Sequence, residues 1–512
     1  MTENGNAASW FVDRHIAEGR AENIAFYQAG SSASLSYGAL AEQSAQMAGL
    51  CQRHRLARES RAVMLVLDEL AFPVIFWGAL KAGVIPVPVN TLLSAEVVGA
   101  IIRDSRAASL FVSAPLLALA EAAVKDMDTP PKLFVIGAEA AGPHLNFTEE
   151  LAASPALPTL EVSPDETAFW LYSSGSTGQP KGIMHVHGNL KQTQDTYGQS
   201  VLSITETDVI YSVAKLFFAY GLGNGMTFPM AAGASVWLYD GRPTPETVSA
   251  VIKQARPTLF FGVPTLYAAL LAAQQGSPID GADQLRLCLS AGEALPPQIG
   301  KQWNALTGVD IMDGIGSTEM LHIYVSNKPD DFVYGTTGLP VPGYEVRLVD
   351  EADQDVADGE IGELLVKGAS AANGYWNQRQ KSRSTFIGEW TRTGDKFIRD
   401  TDGRLTIAGR TDDMFKVSGI WVSPFEVEKA LIEHPAVLEA AVVARADAEG
   451  LDKPEAHIVL QPGQSGSEAL AEELKDHVKT LIGKWKYPRW IVFADDLPKT
   501  ATGKIQRFAL RR

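Results

Sequence analysis

The sequence predicts an α/β fold that ends in a smaller α+β module. Three features point there. Continuous apolar runs, "AVMLVL" (62–67) and "LRLCLS" (285–290) among them, alternate with helix-like stretches, the texture of strands covered on both faces by helices. From about Pro340, "GYEVRLVD", "GELLVKG" and "GRLTIAGR" are short strand-like pieces set off by Gly and Asp turns, as in a small β-rich subdomain. The last hundred residues alternate helix and strand behind a clear helix start. In "SPFEVEKALIEH", Ser423 suits the N-cap, Pro424 the first helical position and Glu426 a capping box. The boundary between the two parts falls near Asp412.

Taken in order, the opening "MTENGNAASWFVDRH" has no basic region followed by an apolar core, so it does not read as a signal peptide. The most apolar stretch, "VIFWGALKAGVIPVPV", is cut by Lys81, Gly and two Pro, and reads as helix then buried strand, not as a membrane span. "VDIMDGIG" repeats the logic of "LRLCLS": a buried strand runs into a Gly-containing polar loop, where α/β proteins build their sites. No internal repeat or low-complexity tract is visible.

The chain has 512 residues, 46% of them hydrophobic and 20% charged, enough for two or more domains with sizeable cores. Lys plus Arg is 44 against 60 Asp plus Glu, a formal charge of −16, which argues against nucleic acid or an anionic membrane as partner. The two cysteines, Cys51 and Cys288, fall in segments that read as ordered core or helix and are expected to be inert thiols. A disulfide framework is excluded by number and a four-ligand zinc site is unsupported. A soluble protein of the reducing cytoplasm is the expectation.

The polar, flexible "YSSGSTGQPKG" (172–182) directly follows the apolar "AFWL". Backbone N–H groups of a Ser/Gly-rich turn can wrap an anion, and Lys181 can add a point charge; a solvated surface loop is the alternative reading. A Walker loop does not fit. Counted from Gly175, Pro180 stands where the second Gly belongs and Gly182 where Ser/Thr belongs. Lys181 is followed by the strand-like "GIMHV", with the next helix signal at Asn189.

This segment resembles the phosphate-loop signature of the adenylate-forming superfamily, which comprises acyl-CoA synthetases, peptide-synthetase adenylation domains and luciferases. Five further segments match in order: "SAGEAL" (290–295), "DGIGSTEM" (313–320), "RTGD" (392–395), "GRTDDMFKVSG" (409–419) and "LPKTATGK" (497–504). The resemblance spans essentially the whole chain. It implies a large N-terminal domain, 1–411, of two α/β subdomains plus a small β-barrel-like subdomain, a hinge at Asp412, and a small mobile α+β C-terminal domain, 413–512. It also implies ATP, Mg2+ and coenzyme A: a carboxylate attacks the α-phosphate, and a thiol then displaces AMP.

The resemblance assigns roles residue by residue. Ser173, Ser174, Gly175, Ser176, Thr177, Gly178 and Lys181 would hold phosphates, with Thr318. Gly292, Glu293 and Ala294 would flank the adenine, and Asp313 and Gly314 its amino edge. Asp395 would take the ribose hydroxyls and Arg410 the ribose or phosphates. Glu319 would be the metal ligand, as hard cations take oxygen ligands. Lys504 would bridge the substrate carboxylate and the α-phosphate, placing positive charge where negative charge develops. Lys416, Ser418 and Gly419 would meet coenzyme A after the domain rotates.

"AKLFFAYGLGN" (214–224) and "GIGSTEMLHI" (314–323), with "YGTTG", "VSPFE" and "KTATGKIQRF", resemble the benzoate-CoA ligase branch. The implied acyl slot comprises Phe218, Ala219, Tyr220, Gly221, Gly314, Ile315 and Gly316, with His322 nearby: aromatic walls and glycine floors for a flat ring. His322 is either a partner in this slot or a core histidine, and at least one of Phe217 and Phe218 is core. Benzoate is the first expectation. 4-Hydroxybenzoate, 2-aminobenzoate, fluorinated or methylated benzoates and cyclohexane carboxylates follow, and loading of a carrier protein is the rival acceptor chemistry. The "PKTATGK" context further resembles sites at which protein acetyltransferases modify such a lysine. Monomer and homodimer stay open.

Overall fold

The computed structural model describes residues 4–137, 142–174, 180–274, 276–411, 413–417, 420–449, 451–499 and 505–511. Of the expected site, Gly175, Ser176, Thr177, Gly178, Asp412, Ser418, Gly419 and Lys504 lie outside these residues, as do the side chains of Ser174 and Lys416.

Two α/β sheets make up the bulk of the protein. The first is all-parallel, in the order Ile85–Pro88, Arg61–Leu65, Ala107–Ser113, Lys132–Ile136, Leu145–Asn146. Ala62 to Leu65 are fully buried, as an uninterrupted apolar run requires. Pro86 and Pro88 sit in the edge strand, where a missing N–H breaks no ladder on the outer side. The helix Ala71–Lys81 is buried along nearly its whole length, and Lys81 at its end donates to Asp13 Oδ1 at 2.6 Å. Its 11 residues are far short of a bilayer. No helix among the described residues is long and apolar enough to cross a membrane.

The second sheet has nine strands. Ile24–Gln28, Ser235–Leu238, Val209–Ser212, Leu259–Gly262, Leu287–Ala291 and Ile311–Gly316 run parallel. Ser34–Ser36 on one side, and Ile323–Ser326 then Leu339–Pro340 on the other, add antiparallel edges. Cys51 and Cys288 are buried in a helix and a strand of this assembly, and burial pushes both thiols up to about 12.

The glycine-rich segment joins two antiparallel strands, Thr167–Ser174 and Pro180–Val186, with Ser174 opposite Pro180. Two paired antiparallel strands flanking the segment differ in kind from the strand–loop–helix of a Walker site. The helix that follows begins at His187, two residues before the expected signal; Asn189 lies inside it with its side chain buried. The β-rich region is a five-stranded antiparallel sheet built on Glu345–Val349, Ile361–Lys367 and Trp390–Arg399, with Phe386–Ile387 and Leu405–Arg410 beside the last.

The C-terminal part has its own core of Val427, Leu431, Val442, Ile458, Leu474 and Val478, between the helices Pro424–Ile432 and Glu468–Ile482 and the sheet Val437–Ala446, Asp452–Leu460, Trp490–Phe493. The helix start at Ser423 is half as expected. Ser423 Oγ accepts from Glu426 N at 3.2 Å, but the Glu426 carboxylate does not return to the cap. It takes Lys486 Nζ instead, at 2.7 Å on both oxygens, because a cation within reach offers a stronger bond than a neutral amide.

Candidate active site

The strands Leu287–Ala291 and Ile311–Gly316 lie side by side, with Ser290 opposite Asp313 and Ala291 opposite Gly314. At the carboxyl end of the first, Gly292 turns the chain with φ +100°, a conformation open to glycine, and carries Glu293 and Ala294 over the second. Asp313 is buried, and its Oδ1 has no hydrogen-bond partner among the described residues. Burial pushes its carboxyl up to about 8, against the pull of the Leu295 and Gly314 amides. A buried acceptor of this kind fits the exocyclic amine of a purine.

Across the cleft, the hairpin sets Ser173 opposite Lys181 and Tyr172 opposite Gly182. A Cβ on Gly182 would stand 3.0 Å from the Tyr172 ring, so a larger residue here would press on that ring. The Tyr172 hydroxyl donates to Asp104 Oδ2 at 2.6 Å and ties the hairpin to the first sheet's helices. Lys181 Nζ is 3.7 Å from Glu319 Oε1 and 4.7 Å from the centre of the Tyr375 ring. Burial lowers its pKa and Glu319 opposes that.

The turn bearing Thr318 and Glu319 is braced from three sides. The Tyr375 hydroxyl donates to Glu319 Oε1 at 2.8 Å. Ala372 N donates to the Glu319 carbonyl at 2.8 Å, and Ser370 Oγ to that of Met320 at 2.8 Å. His185 Nε2 lies 2.9 Å from the Thr318 carbonyl, while the Asn189 amide donates to His185 Nδ1 at 3.0 Å. That donor fixes the tautomer, so Nε2 carries the proton. Burial pushes His185 down to about 4, so it is neutral. Leu321 then takes a left-handed φ of +66°, a strained backbone for a non-glycine residue, and delivers His322 to the other side of the strand pair.

His322 is enclosed by aromatic rings: Phe228 at 4.5 Å, Tyr197 at 5.2 Å and Tyr220 at 5.7 Å between centroids. A Cβ on Gly223 would stand 2.6 Å from its Nε2. Nε2 lies 3.3 Å from the Tyr220 carbonyl, Nδ1 has no partner among the described residues, and burial pushes the ring down to about 3. His322 is therefore a neutral ring with a bare acceptor. Phe217 is core, while Phe218, Ala219 and Tyr220 are only partly buried. Gly314 packs on Ile323, and a Cβ on Gly316 would stand 2.6 Å from the His322 carbonyl carbon. Gly221 is closed by the Ala214 carbonyl, which a Cβ would meet at 2.5 Å. Buried Asp68 accepts from Leu216 N at 3.1 Å and holds the turn leading into this helix.

Of the expected residues, Lys181 meets Glu319, Asp313 and Gly314 lie beside the strand that leads into the turn at 292–294, and Thr318 and Glu319 follow the strand that carries Asp313. Asp395 and Arg410 face each other in register, Arg410 Nη1 donating to Asp395 Oδ1 at 3.0 Å. Sequence reading missed Tyr375, His185 and Asn189, and in the acyl region Tyr197 and Asn224. The hydroxyl of Tyr197 and the amide of Asn224 are buried without partners among the described residues.

Polar turns at the carboxyl ends of parallel strands, a strand pair bearing Lys181 beside Glu319, and a C-terminal part with its own core define the class. Residues 13–376 match the model of the AMP-binding enzyme family, residues 426–504 match that of the AMP-binding enzyme C-terminal domain, and the chain belongs to this family. A 4-hydroxybenzoate-CoA/benzoate-CoA ligase of Rhodopseudomonas palustris is 49% identical over 99% of this chain and 94% of its own length. A benzoate-CoA ligase of Thauera aromatica is 48% identical over 100% and 96%. Crystal structures of a benzoate CoA ligase from Burkholderia xenovorans superpose with a TM-score of 0.92 at 46% identity, over 99% of this chain and all of theirs.

Proposed function

We propose that the protein is an ATP-dependent, AMP-forming aryl-CoA ligase that converts benzoate to benzoyl-CoA through benzoyl-adenylate, in the cytoplasm. One observation carries the reading. The single segment 313–322 bears Asp313 and Glu319, read here as nucleotide-side residues, together with Gly314, Gly316 and His322, read as ring-side residues, with the His322 ring among those of Phe228, Tyr197 and Tyr220. An aryl carboxylate and an α-phosphate brought to its two faces would meet. The activities of the benzoate-CoA ligases this chain resembles support the same choice.

In the first step a benzoate oxygen bonds to the α-phosphorus and pyrophosphate leaves with the P–O bond electrons. In the second the coenzyme A sulfur bonds to the acyl carbon, the thiol proton passes to solvent, and AMP leaves. Asp313 receives the adenine amine, Asp395 the ribose hydroxyls, and Lys181 and the hairpin amides the phosphates. Glu319 is the residue that would hold Mg2+. No group of three or more metal-ligating side chains gathers among the described residues, in keeping with a magnesium ion held by one carboxylate and by phosphates. When bound, that ion supplies positive charge to the departing pyrophosphate. Lys504 supplies it at the reacting carboxylate, and rotation about Asp412 removes it before Lys416, Ser418 and Gly419 admit the thiol.

The test is pyrophosphate release over a panel of benzoates, with and without coenzyme A. Benzoate should give the highest kcat/KM and AMP, not ADP, as the nucleotide product. A second reading, 4-hydroxybenzoate, is favoured by polar atoms around the ring of His322: its Nδ1, without a partner among the described residues, and the hydroxyls of Tyr197 and Tyr220, which feel Ser326 and Asn224. A higher kcat/KM for that acid would decide for it. Acetylation of Lys504 by a lysine acetyltransferase removes its charge and should abolish adenylation while sparing thioester formation from supplied adenylate. Equal loss of both would refute the role.

A further inference from the structure

Among the described residues, one hydrogen bond carries the C-terminal tail onto the glycine turn at 292–294: Ile505 N–H donates to Glu293 Oε1 at 3.0 Å. Ile505 directly follows Lys504. The tail that donates is fastened to its own domain on both sides of this point. Upstream, Lys499 pairs with Ile505 in an antiparallel bridge, and its ammonium donates to Glu439 Oε1 at 3.0 Å and to Asp496 Oδ1 at 2.8 Å. Downstream, Arg507 donates to both oxygens of Glu428, at 3.0 and 2.7 Å, and lies 3.9 Å from Asp413. Buried Glu428 also accepts from Val442 N at 2.7 Å. Both ends of the lysine segment are therefore fastened to the C-terminal domain, and Glu293 is a point at which the large domain meets it.

We propose that Glu293 is a positioning residue for adenylation: its carboxylate docks the chain one residue beyond Lys504 and so fixes the ammonium against the nucleotide cleft. The bond breaks when the domain turns for the thiol step. This differs from the role the sequence suggests for Glu293, a wall of the adenine site, and it rests on the assignment of Lys504 made above. Two features of the geometry favour docking. The acceptor is a side-chain carboxylate and the donor a backbone amide, so the contact depends on no particular residue at 505. The Arg507 clamp also stands close enough to feel the Glu293 charge: burial lowers its pKa, and Glu428, Asp413 and then Glu293 raise it.

The test separates the half-reactions in Glu293→Ala, Glu293→Gln, Lys504→Ala and the double variant Glu293→Ala/Lys504→Ala. A charge-assisted hydrogen bond to an amide sets the expected size: single-turnover adenylation in Glu293→Ala should fall roughly 10- to 100-fold. MgATP affinity by calorimetry, and thioester formation from supplied benzoyl-adenylate, should change by less than about threefold on the same scale. Glu293→Gln keeps an acceptor oxygen and should recover most of the lost rate. The double variant should be no slower than Lys504→Ala alone, since Glu293 acts through that lysine. A parallel loss of MgATP affinity would overturn the proposal in favour of an adenine contact, as would additive losses in the double variant or an unchanged adenylation rate. Were Lys504→Ala itself to adenylate normally, the assignment of Lys504 would fall, a result distinguishable from failure of the latch alone.

Discussion

At the scale of single residues, the cleft is defined by polar groups whose partners are missing or far away in sequence. Asp313 is the sharpest case. Its carboxyl is pushed up to about 8 by burial, above the ordinary value near 4. A raised carboxyl stabilises the fold fully below its unfolded pKa, and that contribution is lost as pH rises from about 4 toward 8. Asp313→Asn has no charge to bury, so the melting temperature of the nucleotide-free variant should gain on the wild type between pH 5 and 8 and level off above. A pH-independent difference would contradict the burial. Tyr375 gives a second expectation. Tyr375→Phe removes the 2.8 Å bond to Glu319, leaving that carboxylate free to swing, and should weaken MgATP binding about 10-fold in a calorimetric titration. Unchanged affinity would mean Glu319 is held well enough by its backbone. Neither partner was legible in the sequence, because Tyr375 lies 56 residues from Glu319 and His185 lies 133 from Thr318, and no local pattern announces such pairs. Lys181 and Asp313 could be proposed from sequence because each stands in a short motif whose residues suit a phosphate or a purine.

At the scale of elements, the strands were read from apolar runs, and those runs were reliable where both faces are covered: Ala62 to Leu65 and Leu287 to Ala291 are buried throughout. Helix starts were less secure, since a side chain at a cap chooses among partners the local sequence does not display; Glu426 left its capping box for Lys486, 60 residues on. The segment 219–232 shows a further limit. The sequence suggests aromatic walls there, but not that five residues, Gly223–Thr227, wind as a wider π-turn between two short α-helices. That turn lets Gly223 touch the His322 ring. Gly223→Ala places a methyl about where the ring stands, 2.6 Å from Nε2, and should raise KM for benzoate at least roughly 10-fold through a displaced slot wall, with MgATP affinity unaffected. If KM holds, His322 is a core residue and not part of the slot.

At the scale of the whole molecule, the proposed function asks two chemical steps to share one site and the C-terminal domain to serve both. That domain has a separate core, as a body that turns against the large domain requires. Asp412→Pro, stiffening the proposed pivot, should slow thioester formation much more than adenylation in single-turnover experiments; equal slowing would argue against the pivot. What sequence alone made legible at this scale was the order of the six motifs and hence the class. The docking of Ile505 on Glu293 was not, because it joins residues 212 positions apart in separate domains. The most direct measurement is rapid quench of enzyme with benzoate and MgATP in the absence of coenzyme A. One equivalent of benzoyl-adenylate per site should accumulate with pyrophosphate, and adding the thiol should discharge it to benzoyl-CoA and AMP. Formation of ADP and phosphate, or no adenylate until the thiol is present, would contradict it.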